Sequence, residues 1–465
     1  MKKTVFLVFS LTALLTAVEW NTVQITQENY DAFSPVLALD HAGKARILFI
    51  QWGEESAFLK TASNATGSWS IKNVAQVNEA EVYSIDVDEH GNSHVAYFDY
   101  LIEDNYDIFY ATDKEGSFAS VNLTDDGLLQ VAPVLKIDRE GAPHIIYVQA
   151  DEVNAQLYHG WLEDGELKGA EKITTNLYQD DYIGYDMVFD PLHGVHVFYI
   201  GDDTYLWKAT SGEPAWLKEK INSLSSEWPS AVADPMGSLH VAYDADRASI
   251  HYTTNASGTW QDEIVTDNAP EGGGDWRPNL VLDNLFGYHA VGKPHIAWIR
   301  YGSDYWGDLW YSTKPDANWA EEAITSEPGK DEWPGFGRYF AIDAEGYGHI
   351  VYDYPDSEEI WQIMYAKSKE PIAEPVAIAE DPPRNLSPSL SICGAQIRFS
   401  IPQSSFIRLT LYDASGRMVK ELASGTYPAG QNEIGVNSSA LPAGVYFARL
   451  ESNNASVNAR MVLIK

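Results

Sequence analysis

A ten-residue phrase constrains this chain more than any other feature, because the chain repeats it. "DEHGNSHVAY" (88–97) sets Asp88, Gly91 and His94 in the order D-x-x-G-x-x-H. The same order recurs as Asp138, Gly141 and His144, as Asp234, Gly237 and His240, and as Asp343, Gly346 and His349. Asp190 and His196 enclose a glycine one place later, at Gly194. Asp40 and Gly43 lead to Arg46 instead of histidine, and Asp283 reaches His295 through an insertion. The seven aspartates are separated by 48, 50, 52, 44, 49 and 60 residues. A period near fifty is that of a β-propeller blade or a similar array.

Each copy parses into four short strands, as in 230–265: "SAVAD", "LHVAY", "SIHYT" and "GTWQDEIV". Helix-period segments are absent. Radial repetition leaves only short, protected sheet edges, so the expected fold is all-β, a seven-bladed β-propeller over residues 19–380. "EWNTVQIT" near the start reads as an extra fourth strand that could close the ring in the last blade; "EPVAIAED" would then belong to the linker. The sequence leaves the mode of closure open.

The repeated unit sits between the first and second strands. Aspartate at a turn start and glycine three places on suit a type I turn followed by a positive-φ residue. The histidine begins the second strand, where a contact with the aspartate would fix its ring and raise its pKa. A residue needed once for chemistry does not recur in six of seven copies, so these positions are expected to be structural. The opposite loops then carry any chemistry.

Composition divides the chain. From residue 385 onward there are seven Lys/Arg and four Asp/Glu, leaving 24 against 63 before it, and all fifteen tryptophans precede it. The proline-rich "AEDPPRNLSPS" marks the junction, with a linker at 381–389 and a small Ig-like β-sandwich at 390–465. Lys2, Lys3 and the apolar "TVFLVFSLTALLTAV" read as a signal peptide over residues 1–18. A single cysteine, Cys393, excludes an internal disulfide and a Cys-based zinc site. The net charge of −36 argues against nucleic acid as a partner and leaves bound calcium possible; no other cofactor is expected. A monomer is expected.

The loops opposite the repeated turns are chemically richer. Glu227-Trp228-Pro229, Asp275-Trp276-Arg277-Pro278 and Glu332-Trp333-Pro334 each place an acid and a tryptophan before a first strand. Tyr305 and Trp306 map to the same sector, as do Arg247, Arg277, Arg300 and Arg338. Aromatic faces with carboxylates suit sugar rings, so an extracellular polysaccharide or glycan is the expected ligand. The same tryptophans could instead pack between blades. Cleavage of a glycoside needs two carboxylates about 5–9.5 Å apart, a distance that spacing does not supply. G-x-S-x-G, H-E-x-x-H, phosphate-loop and complete EF-hand patterns are absent. A sialidase-like glycoside hydrolase or lyase on the same face is the second reading, and a protein-interaction scaffold the third.

The repeated Asp–Gly turns resemble the Asp-box repeats of sialidase-like propellers over roughly residues 20–380. That resemblance implies structural turns lying away from the active face, and an arginine cluster for a substrate carboxylate. The Asp-box wording S-x-D-x-G-x-T-W is not matched, sialidases have six blades, and no tyrosine–glutamate pair can be assigned. The C-terminal segment is similar to the type A (Por-type) sorting domain of the type IX secretion system. It carries Leu411-Tyr412-Asp413, Gly416-Arg417, Ala429-Gly430, Gly444-Val445-Tyr446-Phe447 and the closing Met461-Val462-Leu463-Ile464-Lys465 in order. Gly435-Val436-Asn437 stands where an aromatic–aspartate pair is often found. The resemblance implies the type IX machinery as a partner through residues 390–465, and an extracellular or cell-surface location.

Overall fold

The computed structural model describes residues 18–27, 29–78, 80, 82–102, 105–150, 155–178, 184–190, 194–212, 215–235, 237–267, 273–283, 292–302, 307–315, 318–325, 332–356, 359–373, 389–393, 396–401, 405–413, 417–427, 430–436, 441–442, 444–452 and 455–463. The chain divides into two compact units, Met1–Val376 and Ala377–Lys465. The expected signal peptide, up to residue 17, and the linker before Ser389 lie outside the described residues.

Among the described residues the first unit holds seven four-stranded antiparallel sheets. Six are consecutive in sequence and form blades I–VI, at 32–77, 83–122, 129–172, 186–220, 226–264 and 274–323. Blade VII is built from Phe340–Ile342, Gly348–Pro355 and Trp361–Ser368, and its fourth strand is Trp20–Gln24. That strand pairs from Trp20 with Ser368 to Gln24 with Met364. The first strands of neighbouring blades contact one another, which sets them round the axis. This is the seven-bladed propeller that the repeat predicts, closed by the chain's own N-terminal strand.

The repeated unit is a hydrogen-bonded hairpin turn. Gly91 adopts φ +83° and donates its N–H to the Asp88 carbonyl at 3.0 Å. One carboxylate oxygen of Asp88 accepts the His90 and Asn92 N–H groups at 2.9 and 2.8 Å. The other faces His94 Nε2 at 3.3 Å, and His94 Nδ1 faces the Tyr110 hydroxyl at 2.6 Å. The Asp–His–Tyr relay recurs with Asp234, His240 and Tyr252 and with Asp343, His349 and Tyr365; in blade VI His295 Nδ1 faces the Tyr311 hydroxyl at 2.5 Å, while Nε2 stands 3.7 Å from Asp283. His196 joins Asp190 to Thr210, and His144 joins Asp138 to His159. In blade I, Arg46 replaces the histidine and keeps the ion pair, 3.2 Å from Asp40.

One expectation is corrected. Burial lowers the pKa of His144, His295 and His349 and outweighs the upward pull of the aspartate beside each. A neutral ring suits His349, because Nε2–H donates to Asp343 while Nδ1 accepts from the Tyr365 phenol. Burial pushes the Tyr110 phenol up to about 12, so it remains a donor. The outer end of the relay is covered by the next blade. Trp69 meets Tyr365 edge-on at 5.0 Å, Trp216 meets His159 at 5.3 Å, and Trp319 meets Tyr252 at 5.5 Å.

His159, where four blades have tyrosine, makes stability pH-dependent. Burial first, then the charge of His144, brings its pKa down to about 3. An unfolded histidine titrates near ~6.5. Between those values the unfolded chain holds a proton that the folded chain does not, so stability falls as pH falls, by up to about 1.4 kcal/mol per pH unit. Thermal midpoints from pH 7 to 4 are expected to decline less steeply in His159→Gln, which keeps a donor to His144; equal slopes would contradict this assignment.

The second unit has two small sheets. Ser389–Cys393, Gln396–Ile401 and Gly430–Gly435 form one, and Met418–Tyr427, Ser405–Asp413, Gly444–Ser452 and Ala455–Leu463 form the other. Ile397 and Phe399 from the first share a core with Leu409, Leu411 and Leu450 from the second, as an Ig-like sandwich requires.

Candidate functional site

The first strands begin at the end of the blades opposite the Asp–His turns. In blades I, III, V and VI each carries a β-bulge there. The bulged residue has positive φ and precedes a proline: Ser34 (56°), Ala132 (54°), Trp228 (49°) and Arg277 (53°). Positive φ is costly for side chains other than glycine. The neighbouring blade holds one of these bulges directly, since Asp353 accepts the Ser34 N–H at 2.7 Å.

This register sorts the sequence candidates. Aligned on the proline, Trp228 and Arg277 are equivalent, while Trp276 stands one residue earlier. Trp276 is not among the rings around Arg277 and is linked to them through Tyr301, which meets Trp333 at 5.8 Å. It packs on Tyr301 at 5.0 Å and donates its indole N–H to the Arg247 carbonyl at 3.1 Å. Trp228 and Trp333 instead converge on Arg277, with ring centroids 4.7 and 4.6 Å from its guanidinium carbon. The three tryptophans are all half-buried. Tyr305 and Trp306 lie outside the described residues.

Phe336, which the sequence reading missed, completes the cage 4.2 Å from the Arg277 guanidinium. It arrives on the segment 332–338, which crosses the axis. Gly335 donates to the Pro35 carbonyl in blade I at 3.1 Å, and Leu37 donates to the Arg338 carbonyl at 2.6 Å. A side chain at Gly335 would meet the Ser34 carbonyl at 2.5 Å, so glycine is required for this approach. Phe336 also packs against the core shared by blades II and III. The glycines either side of Phe336 were the available signal.

Arg277 is 8% exposed, and its Nε and Nη1 are buried without a hydrogen-bond partner among the described residues. Burial lowers its pKa. Nearby Asp244 is pushed well above the ordinary carboxylate range, by burial first and the charge of Glu227 second. The other arginines are placed differently. Arg300 makes a two-pronged pair with buried Asp275 at 2.7 and 2.8 Å and reaches Glu321 at 2.9 Å. Arg247 pairs with Glu227 at 2.7 Å, and Arg338 is exposed. Among the described residues no group of three or more His, Cys, Asp or Glu is arranged to hold a metal ion.

Residues 394–465 match the family described as the secretion system C-terminal sorting domain. The protein is therefore a propeller exported by the type IX system to the cell surface or the extracellular space. No curated protein matches the chain. Among solved structures, the polysaccharide lyase PL25 ulvan lyase superposes with a TM-score of 0.50 at 11% identity, covering 74% of this chain and 96% of its own. The polysaccharide lyase Uly1 gives 0.48 at 9% identity, covering 76% and 99%. The six-bladed lectin of Aleuria aurantia, described with a fucose recognition mode, gives 0.42 at 9% identity, covering 66% and 100%. At such identities the likeness concerns the fold alone.

Proposed function

We propose that the loop face opposite the Asp–His turns binds an extracellular carbohydrate, with Trp228, Trp333 and Arg277 as its contact. The observation that carries this reading is the Arg277 guanidinium among three aromatic rings with two N–H groups unpartnered among the described residues. A buried donor left unmade costs about 1–3 kcal/mol, and a sugar hydroxyl oxygen would satisfy it. Indole faces take the apolar side of a sugar ring. Asp244 and Glu227 add groups that exchange hydrogen bonds with hydroxyls.

A glycan array tests this with the wild type and with Trp228→Ala, Trp333→Ala and Arg277→Gln, each checked for an intact melting transition. The expected result is binding to at least one glycan, weakened by about tenfold or more in each variant. No glycan bound by the wild type, or unchanged binding in all three variants, removes the proposal. Release of shortened products from the bound glycan would turn the same site into a glycan-cleaving one.

A further inference from the structure

A second recess lies at the same end of the propeller, at the edge of blade III. It encloses about 340 Å³ and is lined by Leu128, Gln149, Gln156, Tyr158, Lys172 and Thr175. Its polar groups are oriented alike. Thr174 donates its hydroxyl to Gln156 Oε1 at 2.8 Å, and Gln130 Nε2 donates to Gln149 Oε1 at 3.4 Å. Each amide oxygen is thus engaged from behind, and each lining glutamine keeps an NH₂ group uncommitted among the described residues. Asp126, the carboxylate behind this wall, is engaged by Gln130 Nε2 at 2.7 Å and by the Leu128 N–H at 3.0 Å.

The lysines point the same way. Lys136, Lys208, Lys220, Lys367 and Lys369 each hold a carboxylate within 2.9 Å, as expected in a chain with 67 acidic and 31 basic residues. Lys172 has no ion pair among the described residues, and Lys218 reaches only the Thr175 hydroxyl, at 3.2 Å. The two are close enough that burial and then the Lys172 charge lower the Lys218 pKa. Two neighbouring ammonium groups without a carboxylate partner among the described residues, beside amides with uncommitted NH₂ donors, form a site for an acceptor-rich anion. The overall charge of −36 does not prevent this at physiological salt, where charges beyond about 8 Å are screened.

We propose that this recess binds a sugar unit bearing a carboxylate or a sulfate, through Lys172, Lys218 and the amides of Gln149 and Gln156. The proposal rests on the carbohydrate reading above and specifies the substrate class. Its test uses the full chain, the double variant Lys172→Ala/Lys218→Ala and three probes: dextran, dextran sulfate and polygalacturonate oligomers. The wild type is expected to prefer at least one anionic probe over dextran, and which one separates sulfate from carboxylate. The double variant should lose about tenfold or more of that preference and part of its salt dependence. An unaltered preference in the double variant overturns the assignment. So does a wild type that binds dextran equally well, which leaves the carbohydrate reading standing. Binding to none of the three also overturns it, and the glycan array then decides the broader reading on its own.

Discussion

Replacing Asp343 by alanine is expected to destabilise the protein by about 3–5 kcal/mol, the cost of breaking a buried charged network from one side. Asp343 Oδ2 receives His349 Nε2 and Lys367 Nζ, both at 2.9 Å, and Oδ1 receives the Glu345 and Tyr347 N–H groups at 3.0 and 2.9 Å. Alanine orphans all four donors at once. Asparagine would retain an acceptor for the turn and cost less. Burial alone would raise the Asp343 pKa, yet its hydrogen bonds from His349, Lys367 and Tyr347 hold it below the usual range. A carboxylate depressed in the folded state contributes stability above an unfolded pKa of about 3.9 and loses it as pH falls. Denaturant unfolding of wild type and variant at pH 7 and pH 3 checks both points. The gap should narrow in acid; a variant within about 1 kcal/mol of wild type at pH 7 contradicts the network's role. Because the turn lies at the opposite end of the blade from the Arg277 cage, glycan binding by the folded variant should persist.

Removing residues up to Gln24 is expected to cost about 3 kcal/mol or more from the Trp20 ring alone, and to open the ring. The strand fills the outer position of blade VII, and Trp20 lies against Gly348, where an added Cβ would meet it at 2.8 Å. The following residues extend the closure. Ile25 donates to the Ile363 carbonyl at 2.7 Å, and the buried Thr26 hydroxyl donates to Gln362 Oε1 at 2.6 Å. Without the strand, Trp361–Ser368 becomes an unpaired edge, which invites association with other chains. Thermal unfolding and size-exclusion chromatography should show a lower midpoint and larger species. A synthetic peptide of residues 18–27 added in trans should restore part of the loss. A truncated protein that melts with the wild type would show that closure does not depend on this strand.

The blade count and the turn chemistry were legible in the sequence for a local reason. An aspartate that holds N–H groups two and four residues on, and a glycine that supplies positive φ between them, are properties of a short segment, so each copy announces itself. The histidine's partner was legible too, since Asp and His lie across one hairpin. Its charge state was not, because that depends on how deeply the neighbouring blades bury the ring.

The candidate site was legible only in part. Proline-anchored segments identified Trp228, Trp333 and Arg277, but reading by tryptophan set Trp276 among them. The bulge in the first strand sets Arg277, not Trp276, level with Trp228, and Trp276 packs on Tyr301. Arg300 maps to the same sector in the sequence, where a salt bridge explains it equally well, and it is held by Asp275 and Glu321 from its own blade. Phe336 entered only because the segment 332–338 crosses the axis.

The sequence by itself determined the repeating unit, the seven blades and the export domain, all of which follow from residues within one turn or one period of each other. Tertiary structure decided how the ring closes, which rings surround Arg277, and that two lysines near Thr175 lack a carboxylate partner among the described residues. Trp20 and Ser368 pair across almost the whole propeller, and Arg277 meets side chains from another blade and an axial segment. Such contacts depend on strand parity, bulge position and the packing of blade against blade.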